Sequence, residues 1–171
     1  MLLLSSITLA EAHIEKGSMP DSVAEMEYRI LLEFEPDNLV IRNQLGMVLY
    51  RLGKLDEAVE EFHHVLKKAP EDFDAIDALG LVNMTRSNYQ QAIDLFKKAI
   101  TINPDDMLAY HHLGQALEQQ GDTAGAAEAY KTGLARETAA PSGQPNAEQR
   151  LVLLDSLKNL QQKAMITEDT K

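Results

Sequence analysis

Apolar residues recur along the chain at helical spacing, in paired runs separated by short breaks. In residues 38–51 the apolar positions predict one face of a helix. That run breaks at Gly53, and a second one fills residues 55–68, with carboxylates at its start, Lys67 and Lys68 at its end, and Pro70 beyond. The pattern predicts two antiparallel helices joined by a short turn.

This two-helix pattern repeats with a fixed period. Pro36, Pro70 and Pro104 are 34 residues apart (70 − 36 and 104 − 70). The same step relates three further sets of positions: Leu45-Gly46, Leu79-Gly80 and Leu113-Gly114; Ala58, Ala92 and Ala126; Phe62, Phe96 and Tyr130. We expect the glycine to lie where the two helices approach closely and the alanine where they cross.

These positions resemble those of the tetratricopeptide repeat (TPR) family: Leu-Gly, then Gly-x-x-x-x-Ala, then an aromatic residue and a proline. The resemblance covers residues 39–72, 73–106 and 107–140 as three repeats, although Ser87-Asn88 replaces the turn glycine of the second and Thr138 the proline of the third. Residues 3–38 resemble a fourth, degenerate repeat with an insertion near Ser18. The resemblance implies an all-α, right-handed solenoid of about four helix hairpins.

The pattern changes beyond the third repeat. Residues 137–146 are rich in turn-forming residues, and residues 147–164 predict one amphipathic helix. Its apolar face is expected to carry Leu153, Leu154, Leu157, Leu160 and Ala164. We interpret this helix as a cap on the last repeat, which makes residues 1–164 a single domain, and we expect residues 165–171 to be disordered.

The net charge narrows the choice of partner. Because it is −11, phosphate backbones and anionic lipids are disfavoured, whereas basic or neutral protein surfaces suit the chain. The absence of cysteine excludes disulfides and thiolate zinc sites.

Residues 1–10 are apolar but lack a basic start and are followed by Glu11, so we interpret them as part of the first helix, without membrane insertion. We expect a cytoplasmic protein, with a periplasmic one or part of a larger membrane-attached protein left open.

The histidine pairs do not predict a metal site. Neighbours in a helix point about 100° apart, so His63 and His64 cannot readily bind one ion, and the same holds for His111 and His112. The sequence also lacks a phosphate-binding glycine loop, a nucleophile elbow and a His-Glu-x-x-His motif. We therefore predict no cofactor, no bound metal and no enzymatic activity.

The resemblance implies that the first helix of each repeat lines a concave groove that binds a peptide. The first clear repeat contributes Val40, Asn43, Met47, Tyr50 and Arg51. The equivalents are Asp74, Asp77, Leu81, Met84 and Thr85, then Leu108, His111, Gln115, Glu118 and Gln119. Apolar positions beside Asp74 and Asp77 predict a partner with apolar anchors and a nearby Lys or Arg.

One use within the family is disfavoured. Co-chaperones that hold acidic C-terminal tails use a clamp of Lys, Asn and Arg on these helices. The corresponding positions here lack such a clamp: Ile7, Glu11, Gln44, Asp74 and Ala78 in one alignment, and Asn43, Met47, Ala78, Leu108 and His112 in the next.

We therefore predict a non-enzymatic module that binds a protein or peptide segment, as a scaffold or adaptor in a larger assembly. Three alternatives remain open at this point: a small acidic secretion chaperone of the TPR type, a homo-oligomerising scaffold, and an enzyme or the regulatory domain of one.

Overall fold

The computed structural model describes residues 20–136 and 147–168, with side chains in the last helix described through Lys163. These residues contain eight α-helices and no strand. The helices are α1 (Asp21–Phe34), α2 (Leu39–Arg51), α3 (Leu55–Lys68), α4 (Phe73–Thr85), α5 (Tyr89–Ile102), α6 (Met107–Gln120), α7 (Thr123–Arg136) and α8 (Ala147–Glu168). The all-α fold predicted from the sequence is confirmed.

Contacts divide the chain between Lys68 and Ala69 into two compact units. The single domain expected over residues 1–164 stays a prediction. In the N-terminal unit α2 packs against α1 and α3. In the C-terminal unit each helix from α4 to α8 packs against the next one, and α6 also contacts α4 and α8. Because a repeat protein is held together by contacts between neighbours, a division of this kind falls between two hairpins.

The first helix of each clear repeat begins at a side-chain cap that recurs with the period of the sequence. Oδ1 of Asn38 accepts a hydrogen bond from the backbone N–H of Ile41 at 3.1 Å. Asp72 and Asp106 occupy the equivalent positions of the next two repeats and accept from backbone N–H groups in the same way. Such caps satisfy donors that the helix itself leaves unpaired, so these residues fix where each hairpin starts.

Within each hairpin the two helices meet at a glycine and an aromatic ring. A Cβ added to Gly46 would lie 2.5 Å from Cε1 of Phe62. A Cβ added to Gly80 would lie closer still to Cε1 of Phe96, and one added to Gly114 would lie closer still to Cε1 of Tyr130. All three rings are fully buried, so the glycine backbone is itself the surface on which the ring packs.

The turn between the two helices needs a left-handed residue. Gly53 and Gly121 have φ angles of 75° and 94°, and Ser87, at the equivalent position of the second repeat, has a φ of 61°. Left-handed backbone is unfavourable for a residue with a Cβ. Ser87 therefore replaces the turn glycine of the second repeat, while the backbone there keeps the same left-handed conformation.

Helix α8 packs against α6 and α7 through part of the face predicted for it. Leu153 and Leu160 are buried, whereas Leu154, predicted on the same face, is 41% exposed. Residues 153 and 160 are two turns apart and point the same way, while 154 is rotated by about 100°. The helix also continues to Glu168, beyond the predicted end at 164.

Helix α1 carries an exposed apolar stripe at helical spacing. Val23, Met26, Ile30 and Phe34 are 45%, 62%, 49% and 70% exposed. The equivalent positions of α3, 34 residues later, are polar: Glu57, Glu60, His64 and Lys68. The opposite side of α1 packs normally, with Tyr28 buried as Phe62 is. The predicted first helix of this degenerate repeat lies outside the described residues.

The contact between Gly80 and Phe96 predicts a large effect for one added methyl group. We expect Gly80→Ala to lower the free energy of unfolding by about 1–3 kcal/mol, because the ring must move out of its position. Urea denaturation measures this. In a Phe96→Leu background the same substitution should cost clearly less, and equal costs in both backgrounds would contradict the proposed contact.

The backbone of Ser87 predicts a stabilising substitution. We expect Ser87→Gly to raise the free energy of unfolding by about 0.5–1 kcal/mol, because relief of left-handed strain exceeds the entropy that glycine adds to the unfolded chain. The neighbouring Asn88→Gly is the control, since Asn88 has a negative φ and should gain nothing. Equal changes in both variants would refute the explanation.

Candidate functional site

The C-terminal unit contains a cavity of about 300 Å³ on the side of its first helices. Its walls come from four helices: Met84 of α4; Gln115, Glu118 and Gln119 of α6; Tyr130 of α7; Ser156, Asn159 and Lys163 of α8. Four of these residues, those of α4 and α6, lie on the face that the sequence analysis assigned to the groove. Helix α8 supplies a wall that the repeat pattern did not predict.

Glu118 is the central charged group of this cavity. The hydroxyl of Tyr130 donates a hydrogen bond of 2.6 Å to its Oε1, and Nζ of Lys163 lies 3.3 Å from its Oε2. The Glu118 side chain is 19% exposed and that of Lys163 is 72% exposed. Burial, together with this bond to a carboxylate, raises the pKa of Tyr130, so its hydroxyl remains a donor.

His111, predicted to line the groove, is covered. It is only 9% exposed, and its Nε2 lies 3.1 Å from Oγ of Ser156 in α8. Its Nδ1 is buried and has no hydrogen-bond partner among the described residues. Burial, and then the nearby His112, lower the pKa of His111 from 6.5 to about 4, against an opposing effect of Glu118. His111 therefore serves as a neutral contact between α6 and α8.

Asp77, predicted to meet a basic group of the partner, already has one within the chain. Its carboxylate lies 3.0 Å from Nδ1 of His112, and both side chains are largely buried. The His112 ring also packs beside Phe96, with 5.4 Å between the ring centroids. Asp74 is more open, and its pKa is raised by partial desolvation and by the carboxylates of Asp72, Asp77 and Asp106.

The predicted apolar positions of this unit differ in how accessible they are. Leu81 and Met84 are half-buried and pack against the core of the unit. Leu108 is 37% exposed. Gln115 is exposed and lines the cavity. We call the open part of α4 and α6, namely Asp74, Leu81, Met84, Leu108 and Gln115, the first-helix face of the C-terminal unit.

The N-terminal unit presents its own predicted positions on α2. Val40 is 69% exposed, and Asn43, Met47 and Tyr50 are half-buried. Arg51 makes a two-point contact with Asp21 at the start of α1, with Nη2 2.6 Å from Oδ1 and Nε 3.1 Å from Oδ2. The hydrogen bond from Arg51 lowers the pKa of Asp21. Arg51 thus ties α1 to α2.

Several cavity residues were missed by sequence reasoning, and one of them had left a signal. Tyr130 stands where the other repeats have Phe62 and Phe96, and a buried tyrosine hydroxyl needs a partner, here Glu118. Ser156, Asn159 and Lys163 had no such signal, because the docking angle of α8 lies outside the repeat pattern.

The described residues also bear on two other kinds of site. In residues 20–136 and 147–163, no three His, Asp or Glu side chains lie close enough together to hold a metal ion. None of the helices described has both the length and the apolar character needed to cross a membrane.

Comparison with known families gives three matches. Models described as tetratricopeptide repeat match residues 41–72 and 108–137, and a model described as TPR repeat matches residues 80–121. Together they cover 41–72 and 80–137, more than half of the chain of 171 residues. The resemblance predicted from the sequence is confirmed. No curated protein sequence matches the chain significantly.

Solved structures are similar over most of the chain. MamA 41-end from Desulfovibrio magneticus RS-1 has a TM-score of 0.65 and 20% identity, covering 91% of this chain and 90% of that one. PcrH in complex with the chaperone binding region of PopD has 0.66 and 20%, covering 75% and 95%. The Sgt2 TPR domain from Aspergillus fumigatus has 0.65 and 17%, covering 78% and 83%. At these identities the likeness concerns the fold.

The buried His111 predicts a pH dependence of stability. Between pH 6.5 and about 4 the unfolded chain binds a proton that the folded chain does not, so the free energy of unfolding falls as the pH falls. A pKa difference of this size corresponds to about 3 kcal/mol across that window. We expect His111→Gln to lose correspondingly less stability than the wild type, measured by urea denaturation at several pH values. Parallel pH profiles would contradict this, since the carboxylates contribute equally to both proteins.

Proposed function

Because the chain belongs to the tetratricopeptide repeat family, we propose that it is a non-enzymatic interaction module that binds a peptide or protein segment on its first helices. It would act as a scaffold or adaptor in a larger assembly. The observation that carries this proposal is the first-helix face of the C-terminal unit, where Met84 borders a cavity of about 300 Å³ and Leu81 and Leu108 add apolar surface on the same helices.

The chemistry of this face suits a segment with apolar anchors and basic residues. Leu81 and Met84 are held against the core but keep part of their surface in solvent, and Leu108 is more open. Asp74 adds a carboxylate without an internal salt bridge among the described residues, and Glu118 adds one inside the cavity. Since these side chains sit on packed helices, most of the ordering entropy on binding falls on the ligand.

In the N-terminal unit, Val40, Asn43, Met47 and Tyr50 belong to the same proposal, because they occupy the equivalent positions of α2. Arg51 also belongs to this proposal, but its guanidinium does not act as the main contact to the segment. Its guanidinium is engaged by Asp21, so its contribution to a bound segment would come through its exposed side chain and the position it gives to α1.

A small acidic secretion chaperone remains the leading alternative. It is favoured by the similarity of the fold to that of PcrH in complex with the chaperone binding region of PopD, and by the chain's net charge of −11. On this alternative, the same face would shield apolar segments of an exported protein until its export.

A homo-oligomerising scaffold is favoured by a different observation, the exposed stripe of Val23, Met26, Ile30 and Phe34 on α1. A second copy of the chain presents the same stripe, and packing the two together would remove apolar surface from water.

The binding proposal predicts which substitutions weaken capture of the natural partner. After that partner is identified by cross-linking and mass spectrometry, we expect Tyr50→Ala and Leu81→Ala to raise the dissociation constant about tenfold or more, as for anchor residues. Isothermal titration calorimetry measures this, with far-UV circular dichroism confirming the fold. Glu128→Ala is the control, because Glu128 is exposed on α7 away from this face.

Two results would decide against the proposal. Unchanged affinity in both variants would rule out the first helices of the repeats as the binding surface. Light scattering of the purified chain over a concentration series would favour the oligomeric scaffold if the mass rises with concentration.

A further inference from the structure

We infer that the cavity bounded by α8 takes the side chain of a lysine or arginine of the bound segment, with Glu118 as its counter-ion. The inference rests on the proposed binding function and adds the residue type that this cavity selects. Three observations carry it: the setting of Glu118, the contact that Lys163 makes with it, and the chemistry of the remaining walls.

Glu118 lies in a partly desolvated position. Its side chain is 19% exposed, and the Tyr130 hydroxyl donates to Oε1 at 2.6 Å. A neutral donor on one oxygen orients the group but leaves its negative charge uncompensated. A carboxylate removed from bulk water is stabilised by a cation at its second oxygen, so the cavity favours a positively charged ligand.

Lys163 shows where such a cation lies. Its ammonium is 3.3 Å from Oε2 of Glu118, and its side chain is 72% exposed. Lys163 lies in the C-terminal part of α8. An exposed pair of this kind contributes little net stability. A ligand ammonium or guanidinium can therefore replace Lys163 at Glu118, and the carboxylate is paired both before and after the exchange.

The other walls fit the rest of a basic side chain. Met84 offers apolar surface to the methylene stem, and Gln115, Gln119 and Asn159 offer amide oxygens to the remaining N–H donors of the cation. Lys163 is the one cationic side chain among the described lining residues, and it lies beside Glu118. An anionic ligand would therefore meet the Glu118 carboxylate at close range.

The methionine methyl groups provide a direct test in the full chain. With ¹³C-methyl methionine, Met84 reports on the cavity and Met26, which is exposed on α1, serves as an internal reference. The probes are N-acetyl-lysine amide, N-acetyl-arginine amide, the neutral N-acetyl-norleucine amide and the anionic N-acetyl-glutamate amide. We expect saturable shifts of the Met84 signal with the two cationic probes, and at least about tenfold weaker binding of the other two.

Two variants separate the contributions. Glu118→Gln keeps an oxygen that accepts from Tyr130 but removes the charge, so it should weaken binding of the cationic probes about tenfold or more. Lys163→Ala removes the competing ammonium and should tighten binding several-fold. This second variant keeps the test valid if the first fails to fold. Glu128→Gln, which removes a charge outside the cavity, should leave binding unchanged.

Three outcomes would overturn the inference: equal Met84 shifts with the norleucine and lysine probes, binding of the glutamate probe alone, or no effect of Lys163→Ala. None of them would refute the general binding function, which is decided by the affinity of the Leu81→Ala variant for the natural partner. If that affinity is unchanged while the cationic probes still bind, the cavity binds basic side chains without being part of the surface that binds the natural partner.

Discussion

Each clear hairpin of this protein depends on one contact, in which an aromatic ring of the second helix lies directly on a glycine of the first. Gly46 with Phe62, Gly80 with Phe96 and Gly114 with Tyr130 leave no room for a Cβ. Once the ring occupies this position, the separation of the two helices is set, and the small alanines at Ala58, Ala92 and Ala126 can be fully buried. The faces left exposed on the first helices follow from that geometry.

The third hairpin adapts the same contact to a second purpose. Its aromatic residue is Tyr130, which packs on Gly114 like the phenylalanines and also carries a hydroxyl that holds Glu118. Helix α8 then packs on α6 and α7, with Leu153 buried and Ser156 beside His111. A face that would otherwise be open thereby becomes a cavity with one fixed charge. The packing of the hairpin and the position of the cavity's carboxylate are coupled here through a single side chain.

Charged and titratable groups on the first helices divide into those paired within the fold and those that stay open to solvent. Asp77 contacts His112, and Arg51 pairs with Asp21, so these contacts join neighbouring helices. Asp74 remains largely open, and Glu118 has an exposed lysine as its cation. The contact between Asp77 and His112 is largely buried on both sides, whereas the cation that meets Glu118 is 72% exposed. An exposed cation regains water when it leaves the pair, and a largely buried partner does not.

The sequence by itself determined the repeat, its period, the helices of the described hairpins and the all-α fold, because each depends on local patterns: apolar spacing, the break at Gly53 and the proline at Pro70. It also indicated which positions lie on the first helices. Only the tertiary structure decided that His111 is covered, that Leu154 is exposed, and that Ser156 and Lys163 join Glu118 and Tyr130 around one cavity. Those outcomes depend on how α8 docks across residues distant in sequence, and helical periodicity carries no information about that angle.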